Sequence, residues 1–138
     1  MQGTPPLRSY RDLIAWQRAM QLAEAARELA AVIARRDAPL ASQLSKASVS
    51  VPANIAEGYG RSGRGEYLHF LSMASGSLTE VETHTLLAQR AKLAPEQLIQ
   101  RVLSLSDETG RILHGLRRSL SPKNKKGPKW PSARRDAQ

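Results

Sequence analysis

The chain has 138 residues, no cysteine and a formal charge of +9. That length suits one domain, and the missing thiols exclude disulfides and thiolate metal sites while suiting a reducing, cytoplasmic setting. No apolar run approaches the ~20 residues that cross a bilayer and no signal sequence opens the chain, so a cytoplasmic protein without membrane association is expected.

The charge is unevenly placed. Residues 121–138 hold six of the 21 Lys and Arg against one of the 12 acids, which makes this tail +5 and leaves +4 (15 minus 11) for the body. A basic balance of this kind favours polyanions, mainly nucleic acid, although an ordinary basic bundle carries similar charge.

In chain order, Ser9 caps a first helix, with Asp12 three residues on completing a capping box. Leu13, Trp16, Met20, Ala23, Ala30 and Ile33 recur at helical steps, which predicts a helix to about Arg36, where Arg35 and Arg36 suit the negative end of the dipole. Asp37 before Ala38 and Pro39 starts a second helix, because a proline in the first turn gives up no helical hydrogen bond. Its stripe is Leu40, Leu44, Ala47, Val51 and Ile55. Pro52 falls inside this pattern and lacks the N–H that would bond to Ser48, so the helix is expected to bend without dividing. Gly58, Gly60, Gly63 and Gly65 end it in a loop. A third helix runs from about Gly65 to Lys92 with Leu68, Leu71, Ala74, Leu78, Val81, Thr85 and Ala88 on one side. The fourth begins at Pro95 and carries Leu98, Val102, Leu105, Thr109, Ile112, Leu116 and Leu120 in nearly heptad order.

Four long helices with short connectors bury a continuous core by packing side by side, so the expected fold is an all-α, antiparallel up-down four-helix bundle over residues 1–120. Residues 121–138 combine prolines, dense charge and Trp130 and are expected to be a disordered basic tail.

Catalytic and metal chemistry find little footing. Glu66 and His69 have the Glu-x-x-His spacing of carboxylate di-iron bundles, but that motif needs a second copy, and Glu24, Glu57, Glu80 and Glu108 have no histidine three residues later. Neither a nucleophile elbow nor a phosphate-cradling loop is present. The expectation is a non-enzyme with no metal and no cofactor.

A polar stripe is more informative. Gln43, Ser50, Asn54 and Glu57 share one face of the second helix beside Val51 and Ile55, and Ser77, Glu80 and His84 do so on the third. Polar groups at the edge of a core need partners, so this set reads as an interhelical or intersubunit network, with a solvated face and direct ligand contact as the alternatives. Gly76, mid-helix between serines, predicts close approach of a neighbouring backbone, set against a neutral surface position.

The stretches SYRDLIAWQRAMQLA and QLSKASVSVPANIAEGYGRSGRGEYLHFLSMASGSLTEVETHTLLA resemble the 23S rRNA intervening-sequence proteins, a four-helix-bundle family related to the accessory variability determinant of diversity-generating retroelements. The most specific positions are Asn54, Ile55, Ala56, Glu57 and Gly58 with Arg61, then Glu66, Phe70, Gly76, Ser77, Leu78, Glu80 and Glu82. Tyr10 and Lys46 also fit. The likeness spans about residues 9 to 120, and the tail lies outside it. It implies a homo-oligomeric ring, typically pentameric, with a basic surface and no enzymatic activity. Relatives are encoded inside ribosomal RNA insertions or beside reverse transcriptases, and the retroelement branch binds the reverse transcriptase and its RNA.

Two functions of different kinds follow. A nucleic-acid-binding accessory protein would contact RNA or DNA phosphates through Arg61, Arg64, Arg117 and Arg118 and through Lys123, Lys125, Lys126 and Lys129 of the tail, with Tyr59 and Trp130 available for base stacking. The other is an oligomeric protein-binding scaffold whose charge serves solubility or an acidic partner.

Overall fold

A computed structural model describes residues 7–121. Lys123, Lys125, Lys126, Lys129 and the expected tail lie outside the described residues, save Ser121. Within them the protein is all-α, with a short 3₁₀ turn η1 (Tyr10–Asp12) and four helices, α1 (Ile14–Ile33), α2 (Ala38–Tyr59), α3 (Arg64–Arg90) and α4 (Glu96–Leu120). Each helix packs on two others: α1 and α3 both contact α2 and α4. No helix among the described residues is long and apolar enough to cross a membrane.

The N-terminal region departs from the sequence expectation. The Ser9 hydroxyl accepts from the Arg11 N–H and caps η1, while Asp12 accepts from the Arg8 N–H, so the two do not form a reciprocal box. Leu13 is extended and α1 starts only after it, without a side-chain cap. The core stripe of α1 departs from the expected one in part: Leu13, Ala23, Ala30 and Ile33 are buried as expected and Ala15, Ala19, Leu22, Ala26 and Leu29 join them, whereas Met20 is exposed and Trp16 half-buried. Six buried alanines let α1 approach its neighbours closely.

Helix α2 begins as expected. The Asp37 carboxylate accepts from the Leu40 N–H at 3.1 Å, with Pro39 in the first turn. Leu44, Val51 and Ile55 are fully buried, a stabilisation of ~1.5–3 kcal/mol each relative to exposure. Pro52 is itself buried and α2 continues through it as one helix. The expected loop from Gly58 to Gly65 is shorter than it looked, because Gly58 belongs to α2 and Gly65 to α3, and only residues 60–63 connect them.

Gly58 is needed where it stands: a Cβ there would lie 2.8 Å from the Phe70 Cβ and 3.1 Å from Tyr67 Cδ1. The close approach expected at Gly76 is absent, since a Cβ there meets nothing within 4 Å and the residue faces solvent. Helix α3 otherwise buries the expected Leu71, Ala74, Leu78, Val81, Thr85 and Ala88.

The α3–α4 connector turns through Lys92, whose φ of 56° is left-handed. Leu93 N–H bonds to Ala88 carbonyl and Lys92 N–H to Gln89 carbonyl, which closes the helix in a Schellman turn with lysine where glycine is usual. Arg36 Nη1 donates to the Lys92 carbonyl at 3.1 Å and ties the end of α1 to this turn. Pro95 precedes α4, whose core side is offset in part from the expectation: Val102 and Thr109 are buried as expected, but Ile99, Ser106 and Leu113 are buried where Leu98, Leu105, Ile112, Leu116 and Leu120 are only partly so.

Candidate nucleic-acid interface

The polar seam between α2 and α3 is built on residues that alternate with the core stripe on each helix. Ser50 and Ser77, both half-buried, join their hydroxyls across the seam at 2.8 Å. Asn54, one turn along α2, donates to both the Ser50 hydroxyl and the Ser50 carbonyl at 2.9 Å. Three of the residues expected in a network are thus brought together. Gln43 and Glu80 are exposed and stay apart from it. His84 is half-buried, and its Nδ1 is buried with no hydrogen-bond partner among the described residues.

Glu57 turns away from the seam and pairs with Arg61 one turn on. The Arg61 guanidinium also lies 4.8 Å from the centre of the Phe70 ring, so a carboxylate and an aromatic face hold its position at the α2–α3 corner. Tyr59 and Tyr67 meet edge to face beside it, with ring centres 6.1 Å apart. Burial, followed by the neighbouring Tyr59 charge, pushes the Tyr67 phenol up to about 12. Arg64 is half-buried in the first turn of α3; Arg117 and Arg118 occupy the last turn of α4, where the exposed carbonyls favour cations. Sequence reasoning passed over Arg8 and Arg11 at η1, both exposed, with Arg11 against the Tyr10 ring. Their signal was the SYRD turn, which was read only for its caps.

Glu66 and His69 are exposed on α3, and His69 stacks edge to face on Phe70. Among the described residues no cluster of three or more His, Asp or Glu could hold a metal ion. A concavity of about 320 Å³ between α3 and α4 is lined by residues of both signs, including Glu82, Asp107, Arg111 and His114, with Arg111 paired to Asp107 at 3.0 Å.

The chain matches the family described as 23S rRNA-intervening sequence protein over residues 11–115. It belongs to that family. A solved structure from Bacteroides thetaiotaomicron VPI-5482, described as a protein of unknown function from the S23 ribosomal protein family, superposes with a TM-score of 0.71 at 17% identity. The match covers 75% of this chain and 97% of that one, and at this identity it speaks for the fold. No curated protein matches. The family's matched span takes in η1 from Arg11 on, all of α1 to α3 and most of α4, and so includes the Ser50–Ser77 seam and the Arg61 corner of this intervening-sequence protein.

Proposed function

We propose that this protein is a non-enzymatic, cytoplasmic accessory protein that binds RNA or DNA chiefly through phosphate, as a homo-oligomeric, pentameric ring of up-down four-helix subunits. What supports the reading is the set of arginines that an up-down course brings to one end of the bundle. Residue numbers fall on α3 as they rise on α2, with Ser50 meeting Ser77 and Gly58 meeting Phe70, as an antiparallel pair requires. Ion pairing of Arg18 with Glu108 at 2.6 Å and packing of Gly110 on Leu78 fit the same course for α4. An up-down path collects the starts of α1 and α3 and the ends of α2 and α4 at one end, which gathers Arg8, Arg11, Arg61, Arg64, Arg117 and Arg118 there. In the sequence, the lysines of residues 123–129 follow Ser121, the last described residue.

Phosphate contacts of this kind release counterions, so affinity falls steeply with salt. Anisotropy of a labelled structured RNA and a matched DNA duplex, titrated across a salt series, tests the reading, with light scattering on the same sample for subunit number. If about six phosphates are neutralised on duplex DNA, the log–log slope is about −5, and Arg117→Ala with Arg118→Ala makes it shallower by about 2. Absence of binding at low salt refutes the proposal.

A second reading, an oligomeric protein-binding scaffold, has its own observation. Met73 and Leu87, 44% and 51% exposed, are large apolar side chains on α3 that the bundle leaves uncovered. Exposed apolar side chains on one helix suit a partner's apolar face. By the family resemblance, a reverse transcriptase is the partner to try, and Met73→Glu would abolish its co-purification while sparing nucleic-acid affinity.

A further inference from the structure

Between α1 and α2 lies a groove of about 370 Å³, lined by Tyr10, Trp16, Met20, Val49 and Pro52, with Glu24 and Arg27 on its wall. Tyr10 and Trp16 form an edge-to-face pair with centres 5.2 Å apart. Met20 and Val49 remain 36% and 41% exposed, and covering apolar surface of this kind is favourable. The lining is almost wholly apolar and concave, and aromatic residues form its end at η1.

We propose that this groove receives the C-terminal segment of the same chain, with the indole of Trp130 seated against Trp16, Met20 and Val49. Two observations point to this occupant. The first is where the described chain stops: α4 packs on α1, and Ser121 follows its last turn. In the up-down course proposed above, that is the end at which Tyr10 opens the groove. Trp130 lies nine residues beyond Ser121. Nine extended residues reach ~30 Å, against ~8–10 Å between the axes of packed helices, so the segment can pass from α4 over α1 with slack.

The second is chemical. Trp130 is the only aromatic residue outside the described span, and Pro128 and Pro131 flank it. Proline fixes φ near −65°, so the Pro-Lys-Trp-Pro run favours the extended polyproline conformation, which docks into aromatic-lined grooves with little ordering entropy to lose. The contact needs no nucleic acid, so its test and that of nucleic-acid binding fail independently.

Trp16 and Trp130 are the two tryptophans of the chain, which makes fluorescence decisive. In full-length Trp16→Phe, Trp130 is the sole emitter. The expected result is emission blue-shifted, and acrylamide quenching several-fold weaker, compared with a synthetic peptide of residues 122–138. Adding Met20→Glu, at an exposed position that leaves the helix content unchanged by circular dichroism, returns both to the peptide values. Reciprocally, with Trp16 intact, Trp130→Ala makes Trp16 more accessible to acrylamide. Peptide-like emission from Trp130 in the helical Trp16→Phe protein overturns the proposal. So does a shift that survives Met20→Glu, or one that fades on dilution and so marks the segment of a second copy as the occupant.

Discussion

Two glycines in the middle helices make a paired test of how α2 and α3 meet, because the same substitution acts in opposite directions at the two positions. At Gly76 an added methyl enters open solvent, and alanine reduces the freedom of the unfolded chain and favours the helix, a gain of ~0.5–1 kcal/mol. At Gly58 the same methyl lands 2.8 Å from Phe70 Cβ and 3.2 Å from the Tyr67 carbonyl oxygen. Neither atom is the far end of a flexible side chain, so α3 must move away from α2 and disturb the Tyr59–Tyr67 and Arg61–Phe70 contacts. Overpacking of this kind costs ~1–3 kcal/mol, partly offset by the helix propensity of alanine, which leaves a net loss of about 1–2 kcal/mol. The two variants should therefore differ by ~2–3 kcal/mol, read as Tm shifts of opposite sign at ~3–6 °C per kcal/mol for a domain of this size. Scanning calorimetry at one fixed protein concentration keeps any subunit association constant. If Gly58→Ala raises Tm as Gly76→Ala does, the close approach of α2 to α3 is wrong.

The Ser50–Ser77 bond should appear in a double-mutant cycle to alanine, measured by urea unfolding, as a coupling of ~0.5–1.5 kcal/mol; a coupling within error of zero would remove the seam. Thr109 is fully buried and its hydroxyl has no hydrogen-bond partner among the described residues, so the near-isosteric Thr109→Val should raise stability by ~1 kcal/mol, and a loss of that size would point to an ordered water at the hydroxyl. Tyr67 titrates at about 12 in the folded chain against an ordinary 10.0, so the unfolded chain loses this proton first; stability is intact below pH 10 and declines as pH rises towards 12. Urea midpoints across that window should fall less steeply in Tyr67→Phe, and parallel slopes would contradict the burial of its phenol.

Much of the architecture is written in the periodicity. Asp37, Ala38 and Pro39 start α2 as their chemistry requires, and the stripes of α2 and α3 are buried where three- and four-residue steps put them. The stripe of α1 was harder to orient, because alanines at 15, 19, 23, 25, 26 and 30 make several faces apolar and large Trp16 and Met20 pull the reading towards the groove. In α4, the adjacent pairs Leu98–Ile99, Leu105–Ser106 and Ile112–Leu113 offered two stripes one residue apart, and the core took the second member of each. Gly58 misled differently: in a glycine-rich run it looks like a helix breaker, and only the approach of Phe70 shows it as a packing position. Of the site, the alignment of Ser50, Asn54 and Ser77 was legible from spacing alone. The separation of Gln43, Glu80 and His84 was not, because spacing gives a face and not a partner. The α1–α2 groove lies between two helix margins and has no signature in either helix alone.

The small polar patch on the inner side of α4 has a consequence for how the molecule opens. Between Val102 and Leu113 that side presents only Ser106 and Thr109, so about three turns of α4 bury no large aliphatic side chain on their innermost line. α1 and α2, by contrast, fully bury Leu22, Leu29, Ile33, Leu44, Val51 and Ile55. The apolar anchoring of α4 is thus concentrated towards its two ends, at Ile99 and Val102 and at Leu113, and amide hydrogens in its middle turns should exchange faster than those in the middle of α2. Local loosening there would leave the last turn, with Arg117 and Arg118, tied to the core through Leu113.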